Sequence, residues 1–237
     1  MDSSFYTAVR GAMSQQTHMD ILSNNIANMN TNGYKTKTAS FQDLLHYYNM
    51  RAPETEVTRY EAGTGSIVQR TDTDFTDGVL ISTGLQFDYA IQGTGFFMIQ
   101  DPVDNTITYT RDGSFALSER ADGMYLADDQ GRLVLDAAQN PILYEGGELS
   151  AAPGIFDFVH TNGMVSVGTN GFVPSAKNGN VMPAQDSELV QGCLEGSNVD
   201  LADEMSKVIV SSRAYTYMLR MVQTADEVEQ TINGLRG

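Results

Sequence analysis

Proton transfer near neutral pH would fall to histidine, and this chain of 237 residues has three, His18, His46 and His160, scattered along its length. His18 has polar helical neighbours and reads as a solvated side chain. Nucleophilic or phosphate chemistry needs a recognisable cradle. Yet no Gly-x-Ser-x-Gly elbow, no phosphate-loop Gly-Lys-Ser/Thr and no His-Glu-x-x-His pair occurs. Gly93 and Gly95 lack the third glycine of a dinucleotide fingerprint, since position 98 is Met98, and they read as packing glycines. Asp72, Asp74 and Asp77 before Gly78 echo a calcium loop with the wrong spacing and no closing glutamate, so a polar turn is expected. Cys193 stands alone, without a basic neighbour to activate it or a second cysteine to bridge. The inventory predicts no catalytic residue, no cofactor and no metal. Paired carboxylates are the exception, because thirty acidic residues are enough to line a cleft. A secreted β-rich carbohydrate-binding or hydrolytic protein with helical arms is therefore the alternative function.

Fourteen Lys and Arg against thirty Asp and Glu leave a formal charge of −16. That balance argues against nucleic acid, whose phosphates call for a basic face. A hydrophobic fraction of 41% is enough for a sizeable core. No run approaches the eighteen apolar residues of a membrane span, so no membrane insertion is expected. The opening Met1-Asp2-Ser3-Ser4-Phe5-Tyr6 lacks the basic start and apolar run of a cleaved signal peptide, which predicts another export route.

Glycine placement divides the chain. None occurs between Gly11 and Gly33 or between Gly196 and Gly234, while all six prolines lie in the stretch between. That stretch carries Asp77-Gly78, Asp112-Gly113, Asp122-Gly123, Asn162-Gly163, Asn170-Gly171 and Asn178-Gly179, pairs that supply the positive φ of tight turns. Runs such as Tyr89-Ala90-Ile91, Gly95–Ile99 and Thr106–Thr110 between them read as strands. The fold class predicted is mixed and mainly β: a central all-β domain flanked by long N- and C-terminal helices that pair or form coiled coils. The boundaries expected are 1–32 for the first helix, 33–80 for an extended linker, 81–190 for the β-rich domain and 191–237 for the last helix.

Both ends carry a narrow apolar seam. Phe5, Ala8, Ala12, Gln15, Met19, Leu22, Ile26 and Met29 alternate steps of three and four, the spacing that makes helices supercoil. Leu201, Met205, Val208, Ser212, Tyr215, Leu219 and Val222 do the same, and the seam then slips by three residues to Ala225, Val228, Ile232 and Leu235. Ser3 or Ser4 is the expected cap of the first helix, Asn30, Asn32 and Gly33 its stop, and Asn198 or Asp200 the cap of the second.

The segment Leu22–Lys35, with Asn24-Asn25-Ile26-Ala27-Asn28 and Asn32-Gly33-Tyr34-Lys35, resembles the N-terminal signature of bacterial flagellar rod and hook proteins. Phe41-Gln42-Asp43-Leu44-Leu45, Ala90–Phe97, Tyr109–Phe115, Gly131-Arg132-Leu133-Val134, Gly196–Asp200 and Arg213-Ala214-Tyr215 follow in the family's order. The resemblance implies a structural subunit of the flagellar basal-body rod, exported through the flagellar type III apparatus without a cleaved leader. It also implies assembly with other copies of itself and other rod or hook axial proteins in the periplasm or cell-wall zone. In that family the terminal helices build an inner coiled-coil core and the β domain faces outward. The stretch from Leu45 to Gly63 is short for the distal-rod type, which usually carries an insertion before the glycines seen here as Gly63-Thr64-Gly65. The opening residues also look like the proximal-rod type, so the proximal rod is favoured over a distal-rod or hook-type protein.

The subunit contacts expected are Phe5, Ala12, Met19, Leu22, Ile26, Met205, Val208, Tyr215, Leu219 and Val222 along the seams, with Asn24, Asn28 and Arg213 beside them. The asparagines at 24, 25 and 28 either line a solvated face or hydrogen-bond neighbouring subunits. Arg213 is either a solvated cation or one half of an ion pair between subunits.

Overall fold

A computed structural model describes residues 3–44, 47–48, 61–63, 65–168, 170–184 and 187–235. His46, Leu45, Thr64, Met1 and Asp2 lie outside the described residues, as do positions 49–60 of the expected linker and the side chains of Ser3 and Ser4. The chain divides into two compact units. A helical unit comprises 1–27, 37–72 and 200–237, and a β unit comprises 28–36 and 73–199.

The helical unit holds α1, Ser3–Ala27, and α2, Leu201–Leu235. Asp200 caps α2 by accepting hydrogen bonds from the Ala202 and Asp203 amides at 2.9 and 3.2 Å, while Asp203 and Glu204 sit at the positive end of the helix dipole. Asn198 is the cap candidate that is used elsewhere. Among its described residues the expected linker contains strands: Lys37–Asp43 pairs with Ser66–Thr73, and Tyr47–Tyr48 pairs with Glu61–Ala62.

The β unit contains, among the described residues, an eleven-stranded antiparallel sheet. Its central strand is Phe96–Gln100, which pairs with Ile107–Thr110, Leu133–Val134 and Ile155–Phe158. Successive side chains of a strand point to opposite faces, and here both faces are covered. Phe97 and Ile99 join Tyr89, Ile91, Phe115, Leu126, Val134 and Ile142 in one core. Phe96 and Met98 join Tyr109, Leu135, Phe156, Phe158, Met164 and Phe172 in the other. A strand buried on both sides reads as a continuous apolar run rather than an alternating one, which is why Phe96-Phe97-Met98-Ile99 stands out. Two short ribbons tie the chain entering this sheet to the chain leaving it: Tyr89–Gln92 with Glu188–Gln191, and Leu80–Ser82 with Cys193–Glu195.

Not all the turn pairs act as expected. Gly123, Gly163 and Gly179 take positive φ, whereas at Asn170-Gly171 the asparagine does so, at 53°. Gly78 and Gly113 keep ordinary φ and are required for close approach. A Cβ on Gly113 would overlap the Tyr89 carbonyl oxygen, and one on Gly78 would overlap that of Gly196. At the end of α1, Gly33 alone among Asn30, Asn32 and Gly33 is left-handed, with φ of 65°.

Because the Tyr89 carbonyl cannot retreat without breaking its ribbon, Gly113→Ala should lower the stability of the β unit by roughly 2–4 kcal/mol, in the range of strain and overpacking substitutions. A urea titration followed by far-UV circular dichroism checks it. An unchanged midpoint would show that the close approach is not needed.

Candidate functional site

The contact between the terminal helices combines small and apolar residues with buried polar ones. Asn25, fully buried, donates from Nδ2 to the Glu204 carboxylate at 2.9 Å and to the Lys37 carbonyl at 2.8 Å, and its Oδ1 accepts the Lys37 amide at 3.0 Å. Seven residues earlier on α1 and seven later on α2, His18 Nδ1 lies 2.9 Å from Ser211 Oγ. Ser211 Oγ also lies 2.8 Å from Gln15 Oε1, to which it donates. One heptad further, a Cβ on Gly11 would touch Met218 Sδ at 3.1 Å. The three contacts fix α1 and α2 as antiparallel. Ala8, Gly11, Ala12 and Ser14 are buried on α1, and their small size lets the backbones approach.

On α2 the residues screened from water step through Glu204, Val208, Ser211, Tyr215, Met218, Val222, Ala225 and Glu229. This stripe alternates steps of four and three without the expected slip. It shares Val208, Tyr215, Val222 and Ala225 with the expected seam but runs through Glu204, Ser211 and Met218 in place of Met205, Ser212 and Leu219. Met205, Leu219 and Arg213 are exposed. On α1, Ala12 and Leu22 are buried, Phe5, Met19 and Ile26 are half-buried, and Asn24 is exposed. Asn28 belongs to the turn after α1, where its Oδ1 accepts Thr31 Oγ1 at 3.2 Å. The solvated reading of His18 is corrected: the ring is half-buried and packs edge-on to Phe41 with centroids 5.2 Å apart. Burial lowers its pKa, Glu204 raises it and Lys207 lowers it further. Asn25 is also corrected, since its amide is spent inside its own helical unit rather than offered outward.

Among the residues α2 leaves outside, many are apolar, interspersed with polar and charged ones. Val210, at 67% exposure, and Tyr217, Met221, Val228 and Leu235 are open, and so are Leu201, Met205, Ile209 and Leu219. Scattered apolar residues on a surface are ordinary, but contiguous ones mark an interaction site.

The β unit holds a second arrangement that the sequence does not disclose. Lys35 Nζ lies 2.6 Å from Glu195 Oε1 with both side chains sealed from water, and Arg111 reaches Glu195 Oε2 at 3.2 Å. Lys35 also donates to the Thr76 carbonyl, Gly78 N donates to Glu195 Oε1, and Arg111 donates to the Gly93 carbonyl while stacking over Phe96. Burial pushes the Lys35 ammonium below its ordinary range and Glu195 pulls it back. Nearby, Asn198 accepts the Thr36 amide and hydroxyl and donates to the Asp74 and Thr76 carbonyls. Two cations share one carboxylate, so loss of Glu195 leaves Lys35 without an acidic partner, while Arg111 keeps Asp77 at 3.4 Å.

The nearest approach to a carboxylate cleft is a cavity of about 150 Å³ lined by Asp112, Asp128, Asp129, Arg132 and Ser114. Asp112 is occupied by Ser114 N and Oγ and Asp128 by Arg132. Asp72, Asp74 and Asp77 serve Arg70, the Thr76 amide and Arg111. Cys193 is half-buried in its strand and His160 is exposed. Among the described residues no helix is long and apolar enough to cross a membrane.

Two antiparallel helices, the second with exposed apolar residues, and a separate β-rich unit define the class: a helix-flanked β-rich protein. Comparison narrows it. A model described as flagellar basal body rod FlgEFG protein C-terminal matches residues 190–235, and one described as flagella basal body rod protein matches residues 5–35. The chain is 34% identical to the flagellar basal-body rod protein FlgG of Borreliella burgdorferi, covering 100% of this chain and 99% of that one. It is 30% identical to the flagellar basal-body rod protein FlgF of Rhizobium meliloti, covering 100% of both. With the FlgG of Bacillus subtilis it shares 29% over 98% of each chain. The chain belongs to the flagellar basal-body rod protein family. The two matched segments contain Lys35 and Glu195, the two ends of the buried ion pair.

Two outcomes follow. Glu195→Gln should destabilise the β unit by about 3–5 kcal/mol, the cost of breaking a buried pair from one side, read as a lowered unfolding midpoint in near-UV circular dichroism. A variant as stable as the parent would show the cluster to be dispensable. His18, with a folded pKa below its ordinary 6.5, binds fewer protons folded than unfolded just below that value. The helical unit should therefore lose stability as pH falls below it and level off once the folded ring also protonates. His18→Gln should flatten this slope in pH-resolved thermal melts, and an unchanged slope would assign it to another group.

Proposed function

We infer that this chain is a structural subunit of the flagellar basal-body rod that assembles through its terminal helices. The observation that carries the reading is the outward apolar surface of α2, on a chain whose family is that of rod proteins. In an assembled axis, neighbouring copies and other rod or hook proteins would cover those residues, and the helices would supercoil into a coiled-coil core. The short Leu45–Gly63 stretch and the opening residues favour the proximal rod. Alignment with the Borreliella burgdorferi FlgG extends over 267 positions, more than this chain's 237 residues, which supports a shorter member. Export through the flagellar type III apparatus would bring such a subunit to the growing axis.

The helices have little to hold them in isolation. They comprise 25 and 35 residues, ordering each residue costs about 1–2 kcal/mol of backbone entropy, and polar Asn25, Glu204 and Ser211 occupy part of their mutual contact. Covering the apolar faces, at roughly 25 cal/mol per Å², supplies what the isolated pair lacks. Assembly on a growing axis would thus be favoured over association of dilute chains.

Leu219→Asp places a charge on an exposed face and should leave the free chain folded while abolishing incorporation and motility. Circular dichroism of the purified variant, with immunoblots of basal bodies and swimming assays, checks both halves. Motile cells with the variant in normal rods would contradict the reading.

A further inference from the structure

Asparagine followed by glycine is a chemically labile pair as well as a turn signal. The glycine has no Cβ to screen its amide nitrogen, so that nitrogen can attack the side-chain carbonyl of the asparagine before it. The chain has five such pairs. One, Asn233-Gly234, lies in the last turn of α2. The other four, Asn32-Gly33, Asn162-Gly163, Asn170-Gly171 and Asn178-Gly179, belong to the β unit. Threonine precedes the asparagine in three of these four, so local sequence hardly distinguishes them. The fold does.

Three pairs are locked. The Gly33 amide, which would be the nucleophile, is buried and donates to the Glu195 carbonyl at 2.7 Å. Asn170 donates from Nδ2 to the Asn32 carbonyl at 2.6 Å, its own carbonyl accepts Thr110 Oγ1 at 2.9 Å, and Gly171 is buried close to the Val167 carbonyl. Asn178 is fully buried. Its Oδ1 accepts Ser175 N and Oγ at 2.7 and 2.9 Å, and its Nδ2 donates to the His160 carbonyl at 2.6 Å.

Asn162-Gly163 is open. Both residues are exposed, and neither the Asn162 side chain nor the Gly163 amide has a hydrogen-bond partner among the described residues. Gly163 has φ of 94°, as the third residue of a type II turn does. A Cβ there would meet nothing nearer than Ser175 Oγ at 3.7 Å, so the space around the nitrogen is free. Two bonds hold the turn: Met164 N donates to the Thr161 carbonyl at 3.4 Å, and Asn178 Nδ2 to the Asn162 carbonyl at 3.3 Å. Both are longer than the roughly 2.7–3.2 Å usual for such bonds. The turn therefore opens easily, as the attack requires.

We propose that Asn162 is the site in the β unit at which this chain deamidates and isomerises spontaneously, the fold protecting the other three asparagines. The Gly163 nitrogen forms a bond to Asn162 Cγ, the Cγ–Nδ2 bond breaks, and the proton of the glycine amide leaves with the amine as ammonia. Water then adds to one carbonyl of the resulting five-membered imide and opens it. Opening at the side-chain carbonyl leaves aspartate. Opening at the main-chain carbonyl leaves isoaspartate, with the backbone running through the former side chain. Either product adds one carboxylate to a chain already at −16.

The position gives the isoaspartate a structural consequence. It lengthens the main chain by one atom between Thr161 and Met164, and it turns the Asn162 carbonyl that Asn178 reaches into a free carboxylate. Met164 is buried in the second core, and Val165–Val167 is the end strand of the sheet. The lesion loosens that outermost strand, where Val165 and Val167 are already exposed, and accumulates with the age of the molecule.

The test incubates the purified full-length chain in mildly alkaline buffer, where the attacking amide loses its proton more readily. Digestion under mildly acidic conditions and mass spectrometry follow each Asn-Gly peptide. Isoaspartate is detected by methylation with an isoaspartyl carboxyl methyltransferase and labelled S-adenosylmethionine. In the folded chain Asn162 should convert at least about tenfold faster than Asn32, Asn170 and Asn178, because only its turn opens locally. In guanidinium the four should convert at similar rates. Folded rates at Asn162 no higher than at the other three would overturn the proposal. So would the same preference for Asn162 in guanidinium, since the fold would then not be the selector. Asn162→Gln should remove the methyl-accepting product from the β unit, and its persistence would place the reaction elsewhere. Hydrogen exchange over residues 164–167 should be faster in aged than in fresh chain, and unchanged exchange would overturn the loosening of the end strand.

Discussion

The constraint on which the helical unit depends is the set of polar side chains placed within the otherwise apolar contact of α2 with α1, while other apolar residues of α2 stay exposed. A helix packed on its own domain ordinarily turns apolar residues inward and polar ones to water. Here Glu204 and Ser211 face α1, where Asn25, Gln15 and His18 satisfy them, and Val210, Tyr217 and Met221 face outward. Polar contacts between two helices set register well, because a one-residue slip leaves buried donors and acceptors unpaired at a cost of about 1–3 kcal/mol each. Their register is set by hydrogen bonding, and Ala8, Ala12 and Leu22 of α1 with Val208, Tyr215, Met218 and Val222 of α2 add apolar burial to it.

The β unit is organised on the opposite principle. Its central strand, Phe96–Gln100, is buried on both faces, and its two cores need no further partner. The chain enters and leaves it beside one another, held by two ribbons and by the Lys35–Glu195–Arg111 cluster. Residues 160 apart in sequence meet in that ion pair. A β-rich unit with two cores of its own and a pair of helices with apolar residues still exposed on α2 thus share one chain.

Much of this was legible in the sequence. The continuous apolar run at residues 96–99 and the β-branched and aromatic runs at 89–91 and 106–110 announced buried strands, and the glycine-free ends announced helices. Three things were not legible. Periodicity shows that Leu201, Met205, Val208 and Tyr215 share a side of α2, but it cannot say which of three neighbouring stripes meets α1. Glu204 and Ser211, being polar, carried no sign of burial. Asn25 looked like its exposed neighbour Asn24, because only the tertiary position of the Lys37 backbone and Glu204 distinguishes them. The convergence of Lys35, Arg111 and Glu195 was hidden by distance along the chain, although Lys35 and Arg111 both lie in segments that resemble the family's motifs. Gly113 was visible as half of a turn pair, yet its role is steric.

The most direct measurement is hydrogen–deuterium exchange of the α2 amides in the free chain and in purified basal bodies. If α2 depends on covering by other chains, residues 210–235 should exchange within seconds to minutes when free and be protected by at least a hundredfold on assembly, with the Phe96–Gln100 strand protected equally in both. Equal and strong protection of α2 in the free chain would show that the helix pair is stable by itself, and the account would fail.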